Sequence, residues 1–176
     1  CIRDSYKNFG LLTLEGVIQK SSNVGAAMIA KKTKKQKIYD TLTEFSIGSD
    51  LYVDFPSIQN GNMKDINNWD DALHGTVGYG YGLSTTLLHL ANAYNIVAND
   101  GMRVQLSYRK TNDVVLGEQV LQKESSREIL KMMRKAVDHG TGKNAKIQNY
   151  TVAGKTGTVR LLSLIHISEP TRHLFI

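Results

Sequence analysis

Cysteine is almost missing from this chain. The one residue present, Cys1, leaves no internal disulfide and no cysteine-based zinc site. The histidines, His74, His89, His139, His166 and His173, form no H-E-x-x-H pattern and have no cysteine partners, so metal catalysis has no support. No run approaches the roughly 18 apolar residues that a membrane-crossing helix needs. The amino end, Cys1-Ile2-Arg3-Asp4-Ser5-Tyr6, has neither the charged leader nor the apolar stretch of a secretory signal. It opens on Cys rather than Met, and the expectation is of a chain that starts in mid-sequence, with any leader or anchor upstream.

What is there has the balance of a globular domain: 176 residues, 41% hydrophobic and 22% charged. Lys and Arg number 22 against 16 Asp and Glu, a net charge of +6, and much of the excess lies in Lys31-Lys32-Thr33-Lys34-Lys35-Gln36-Lys37. No aromatic residue interleaves with these lysines, so the stacking half of a single-strand nucleic-acid surface is absent. The run follows an apolar stretch and suits a solvated helix end, where cations complement the helix dipole. No nucleic-acid partner is expected.

Apolar spacing over residues 13–30 predicts two helical segments, one through Leu14, Val17 and Ile18, the other through Val24, Ala27 and Met28. Ser21-Ser22-Asn23 lies between them, residue types that favour helix starts, so that their side chains can project from a helix entrance instead of sinking into a core. A further helix is predicted over 36–45 and a polar surface loop over 60–68. After Gly78-Tyr79-Gly80-Tyr81-Gly82, a helix over 84–99 should carry Leu87, Leu90, Ala91, Tyr94, Val97 and Ala98 along one side. Residues 104–108 and 114–120 read as short strands about a turn at Thr111-Asn112-Asp113. Residues 125–137 form an amphipathic pattern, and 150–153 read as a strand leading into Gly154-Lys155-Thr156-Gly157-Thr158.

Two of these segments carry chemistry. Ser21-Ser22-Asn23 and Lys155-Thr156-Gly157 resemble the S-x-N and K-T-G motifs of the penicillin-binding protein and serine β-lactamase superfamily. Each tripeptide alone is a common helix boundary or turn; their order and setting give them weight. Gln19 to Gly25 (QKSSNVG), Gly78 to Thr86 (GYGYGLSTT), Leu88 to Tyr94 (LHLANAY), His139 to Ala145 (HGTGKNA) and Val152 to Thr158 (VAGKTGT) are similar to class B penicillin-binding proteins, above all the division-specific transpeptidases. The resemblance runs from Ile2 to about Arg160. It implies a mixed α/β transpeptidase domain, here incomplete, occupying residues 1–160, with no cofactor.

The resemblance also assigns roles. A serine nucleophile needs a base, an oxyanion site and a cationic patch for a substrate carboxylate. Ser21 would relay a proton towards the leaving amine, and Asn23 would bond the catalytic lysine or the substrate amide. Lys155 would hold positive potential over the cleft. The Thr156 and Thr158 hydroxyls would receive the terminal carboxylate, the Thr158 N–H would form half the oxyanion hole, and Gly157 would let substrate lie close. The implied partners are stem peptides ending in D-Ala-D-Ala, penicillin and other β-lactams, and division proteins including a glycosyltransferase. The implied place is the periplasmic face of the cytoplasmic membrane.

The chain departs from the family in three respects. The S-x-x-K motif that carries the nucleophile should precede S-x-N, yet Ser5, the serine available there, has Asn8 three places on. Ser107-Tyr108-Arg109-Lys110 fits the formula but follows S-x-N and sits in an extended segment, where one-turn spacing does not bring Lys110 to Ser107. Leu87 and Gln105 stand where the family often has proline. After Arg160, LSLIHISEPTR (Leu162 to Arg172) looks like a translated sequencing adapter, so residues 161–176 are expected to be a non-native tail. The isolated chain is expected to be inert and to fold poorly, with sheet edges left open.

Other readings fit less well. A P-loop ending in Gly154-Lys155-Thr156 would need glycine where Asn149 stands, and a helix where β-prone Thr158-Val159 follows. A dinucleotide loop at Gly78-Tyr79-Gly80 would need glycine at Leu83. A serine β-lactamase must activate a water, and nothing here marks a residue for that. A penicillin-sensing receptor domain, which would hold its adduct, is the remaining rival.

Overall fold

The computed structural model describes residues 9–51, 53, 59–110 and 115–157. In chain order these form α1 (Leu14–Lys20), α2 (Asn23–Lys32), α3 (Lys35–Glu44), β1 (Asn62–Met63), α4 (Asp71–Val77), β2 (Leu83–Ser84), α5 (Leu87–Ala98), β3 (Met102–Val104), β4 (Leu116–Gln119) and α6 (Lys123–His139). The mixture of helix and strand is the expected one. The described residues divide into two bodies, one of 23–129 and one of 9–22 with 130–157, so α6 contributes its first half to the former and its second to the latter.

In the larger body, α2 and α4 meet along a seam of small residues. A Cβ on Gly78 would fall 2.7 Å from the Ala30 Cβ and 2.8 Å from the Ala26 carbonyl oxygen, so glycine is what permits this approach. The sequence pattern does not announce α4. The helix is fixed at its start by Asp70, whose carboxylate accepts from the Leu73 N–H at 2.7 Å. Buried His74 donates from Nε2 to the Thr33 carbonyl at 2.9 Å. The lysine run does end a helix, with Lys31 and Lys32 in the last turn of α2. Lys31 pairs with Asp71 at 2.5 Å, and Lys35 donates to the Trp69 carbonyl at 2.6 Å.

Residues 60–68 are not a plain loop. Asn62 and Met63 of β1 pair antiparallel with Ser84 and Leu83 of β2, and Asp65 caps a 3-10 turn over Ile66–Asn68. Ladder bonds to a segment some twenty residues on override local polarity. Because Ser84 is in β2, the next helix starts later than expected, at Leu87, where Thr86 caps it.

The buried face of α5 also differs from the expected stripe. His89, Asn92, Ile96 and Val97 are inside, while Leu87, Ala91 and Ala98 are exposed. His89 can be fully buried because both ring nitrogens are satisfied. Nε2 donates to the Ser49 carbonyl at 2.9 Å, which leaves Nδ1 to accept from the Thr86 hydroxyl at 2.6 Å.

β3 and β4 form an antiparallel pair with an irregular register; β3 ends at Val104, the residue at which the strand expected over 104–108 begins, and β4 is shorter than the strand expected over 114–120, while the turn at 111–113 lies outside the described residues. Gly101 leads into β3 at φ 85°, where a Cβ would lie 1.9 Å from the Leu121 carbonyl oxygen. Near the start of α6, the buried Ser126 hydroxyl donates to the Val97 carbonyl at 2.5 Å.

In the smaller body, α1 starts at Thr13, whose hydroxyl accepts from the Gly16 N–H at 3.1 Å, and Glu15 pairs with Lys135 of α6 at 2.7 Å. Met133, Ala136 and Val137 form the buried stripe of α6. The strand expected over 150–153 is not formed: residues 151–156 carry no ladder, and Gly157 makes a single bridge. A strand exists only through a neighbour's backbone groups, and here the Gly154 N–H donates instead to the Met133 carbonyl of α6, at 3.3 Å.

Candidate active site

The smaller body brings one cluster of candidate residues together, beginning where α1 ends. The Ser21 N–H donates to the Ile18 carbonyl at 3.2 Å, and the Ser22 N–H to the Val17 carbonyl at 3.0 Å. This is the Schellman pattern, whose turning residue is left-handed and is usually glycine. Here it is Ser21, at φ 56°, ψ 46°. A β-carbon in that conformation costs about 1 kcal/mol or more, so the serine hydroxyl is held at a helix end against local preference. The helix-start expectation for Ser21-Ser22-Asn23 holds at exposed Asn23, which opens α2, but not at Ser21, which closes α1, and the Ser22 side chain is buried.

Lys155 reaches that hydroxyl. Its Nζ donates to Ser21 Oγ at 2.6 Å and to the Thr156 carbonyl at 2.9 Å. Burial pushes the Lys155 pKa below the usual lysine range, because desolvation disfavours the ammonium form. Among the described residues no carboxylate forms an ion pair with it. A cation held this way, with neutral oxygens as partners, keeps its positive potential for an incoming anion instead of spending it on a protein carboxylate.

Thr156 is also engaged. Its Oγ1 lies 2.8 Å from Oγ1 of Thr141, in the turn that follows α6. That turn is tight. The N–H groups of Gly140 and Gly142 both donate to the Ala136 carbonyl at 3.0 Å, and the Thr141 N–H donates to the Gln19 carbonyl at 3.3 Å. A Cβ on Gly140 would stand 2.3 Å from the Gln19 oxygen. At Gly157, by contrast, an added Cβ meets nothing within 4 Å among the described residues.

Of the residues singled out from sequence, the structure thus joins Ser21 to Lys155 and places Thr156 and Gly157 beside them in the chain. Thr158 lies outside the described residues. Ser107 is not a second nucleophile site. Its hydroxyl donates to the Arg109 carbonyl and accepts from the Arg109 N–H, both at 3.0 Å, in a local turn with no helix to bring Lys110 round. Thr141 is the residue that sequence reasoning does not single out. Its signal is the Gly-Thr-Gly that ends α6, a tight turn with a hydroxyl at its centre.

Comparisons with known proteins converge on one family. The penicillin binding protein transpeptidase domain matches residues 2–166. The Probable peptidoglycan D,D-transpeptidase PenA of Neisseria gonorrhoeae is 31% identical over 160 residues, covering 90% of this chain and 27% of that protein. The Peptidoglycan D,D-transpeptidase FtsI of Escherichia coli is 35% identical over 150 residues, covering 85% of this chain and 26% of that protein. Among solved structures, the transpeptidase domain of Burkholderia pseudomallei penicillin-binding protein 3 superposes with a TM-score of 0.84 at 37% identity, over 90% of this chain and 49% of that one. Penicillin-binding protein 3 of Mycobacterium tuberculosis, solved with ampicillin, gives a TM-score of 0.81 at 30% identity, over 93% of this chain and 40% of that one. The chain spans about a quarter of the length of these curated relatives. With its S-x-N and K-T-G residues in contact through Ser21 and Lys155, the chain belongs to the penicillin-binding protein transpeptidase domain family, in its class B, division-type branch.

Proposed function

We propose that the protein bearing this chain is a serine-type peptidoglycan D,D-transpeptidase that crosslinks septal stem peptides ending in D-Ala-D-Ala and is acylated by penicillin. The observation that carries the reading is the 2.6 Å hydrogen bond from Lys155 Nζ to Ser21 Oγ. Because Lys155 donates in that bond, the Ser21 proton is free to point elsewhere. Ser21 can then accept a proton from a nucleophilic serine on one side and pass its own to the leaving amine on the other. The positive charge of Lys155 favours the substrate carboxylate, which the Thr156 and Thr158 hydroxyls receive. Gly157 fits the same account. Among the described residues neither a positive φ nor a neighbouring atom demands glycine there, which fits a backbone-to-backbone approach by substrate.

Asn23, at the start of α2, is assigned to the nucleophile's lysine or the substrate amide. The nucleophile belongs to an S-x-x-K segment outside residues 1–176, so a polypeptide of these residues alone forms no acyl adduct. The intact protein acts at the periplasmic face of the cytoplasmic membrane beside other division proteins, a glycosyltransferase among them. The test is labelling of the full-length protein by a fluorescent penicillin. Lys155→Ala should slow labelling at least about a hundredfold with the fold retained. Labelling at the rate of the unaltered protein would remove the role given to Lys155.

A further inference from the structure

The Thr141 side chain touches Thr156, and acyl transfer as described above does not use it. A hydroxyl carries one proton. With the two oxygens 2.8 Å apart, one threonine donates to the other, and the structure leaves either direction open. A carboxylate can only accept. If Thr156 donates to Thr141, it has no proton left for the carboxylate. If Thr141 donates to Thr156, the Thr156 proton is free to meet it.

The turn holding Thr141 is fixed independently of any ligand. Ala136 accepts from both flanking glycines, and the approach of Gly140 to the Gln19 carbonyl leaves no space for a side chain. The same turn therefore grips the chain two residues before Ser21 and the hydroxyl next to Lys155. Gln19, Ser21, Lys155, Thr156 and Thr141 close a ring of contacts, all within the smaller body.

We infer that Thr141 is a positioning residue which donates its hydroxyl proton to Thr156 and so makes Thr156 a donor to the carboxylate of the acylating ligand. No covalent bond changes in this step; two hydroxyl rotors turn in concert. The inference rests on the transpeptidase reading above, and its test separates the two.

The experiment measures acylation rates of the full-length protein by benzylpenicillin and by its methyl ester, in which the carboxylate is masked, for the unaltered protein, Thr141→Val and Thr141→Ser. Thr141→Val keeps the shape and removes the donor. The Thr156 proton then loses the hydrogen bond that aims it at the carboxylate, which should slow benzylpenicillin about fivefold, the effect of one neutral hydrogen bond, while the ester rate changes less than about twofold. Thr141→Ser should restore the preference for the free acid. The retained ester reaction shows that the variant is folded. If Thr141→Val slows both ligands equally, or neither, the inference fails and the transpeptidase reading stands. If the unaltered protein is acylated by neither ligand, both fail.

Discussion

Around Asp100 each charge meets its opposite. Arg127 donates to the two carboxylate oxygens at 2.9 and 3.1 Å, and Lys123 lies 3.2 Å away. Hydrogen bonds from Arg127 and then Lys123 hold the Asp100 carboxyl below its usual pKa of 3.8. Around Lys155 burial pulls the pKa down from 10.5, and its partners are a hydroxyl and a carbonyl. Backbone conformation separates the two corners in the same sense. Asp100 and Ser21 are both left-handed, at φ 53° and 56°, but aspartate tolerates that region and serine does so less readily. The Asp100 corner is arranged to hold the chain together. The Lys155 corner accepts a desolvated cation and a strained serine, costs that make sense where charge and a hydroxyl are needed for chemistry.

The largest way to break the contrast lies next to Asp100. Gly101→Val puts a branched side chain at φ 85° and into the Leu121 carbonyl, and should destabilise the full-length protein by about 3 kcal/mol or more, read as a shift of the urea midpoint. An unchanged midpoint would mean the turn relaxes freely. At the other corner the sign reverses. Ser21→Gly removes the left-handed strain and should leave stability level or raise it by up to about 1 kcal/mol while acylation collapses. A clear loss of stability would contradict the strain argument.

The smallest effects are in pH dependence, and they fall in separate windows. The depressed pKa of Asp100 means its support is complete above the ordinary carboxylate value and is lost as pH falls through the lowered one. Asp100→Asn should therefore flatten the acid limb of the stability curve. Lys155 behaves differently, because its folded pKa is the lower one. Between that value and 10.5 the unfolded chain binds more protons, so stability rises with pH across the window and the desolvation cost fades. Lys155→Met should flatten the alkaline limb and leave the acid limb alone. Thermal melts across both limbs check the pair, and interchange of the two effects would overturn the assignment.

Much of the Lys155 corner is legible in the amino-acid sequence. The break between α1 and α2 follows from two apolar periods separated by Ser21-Ser22-Asn23, and α6 from its long amphipathic pattern. Short and long-range features are not legible. α4 rests on the Asp70 cap and its packing on α2, and β1 finds its partner only across the chain. Periodicity misplaces the buried face of α5 because His89 and Asn92 count as polar in a pattern, whereas His89 is buried once Thr86 and Ser49 satisfy both nitrogens. The contact that matters most joins residues 134 positions apart, a distance over which local propensity carries no information. Only the two motifs, taken together, point to it. For Thr141 the Gly-Thr-Gly signal marks a tight turn with a hydroxyl at its centre but not the partner, because that hydroxyl has no chemistry until Thr156 is placed against it.

The central claim is that Ser21 and Lys155 work as a unit in serine acylation, and a double-mutant cycle on acylation tests it most directly. Rates of labelling by a fluorescent penicillin would be measured for the full-length protein, Ser21→Ala, Lys155→Ala and the double variant. Groups that act through one hydrogen bond lose their joint effect once either is removed, so the double variant should be scarcely slower than the slower single one. Losses that multiply would show two independent residues and contradict the account.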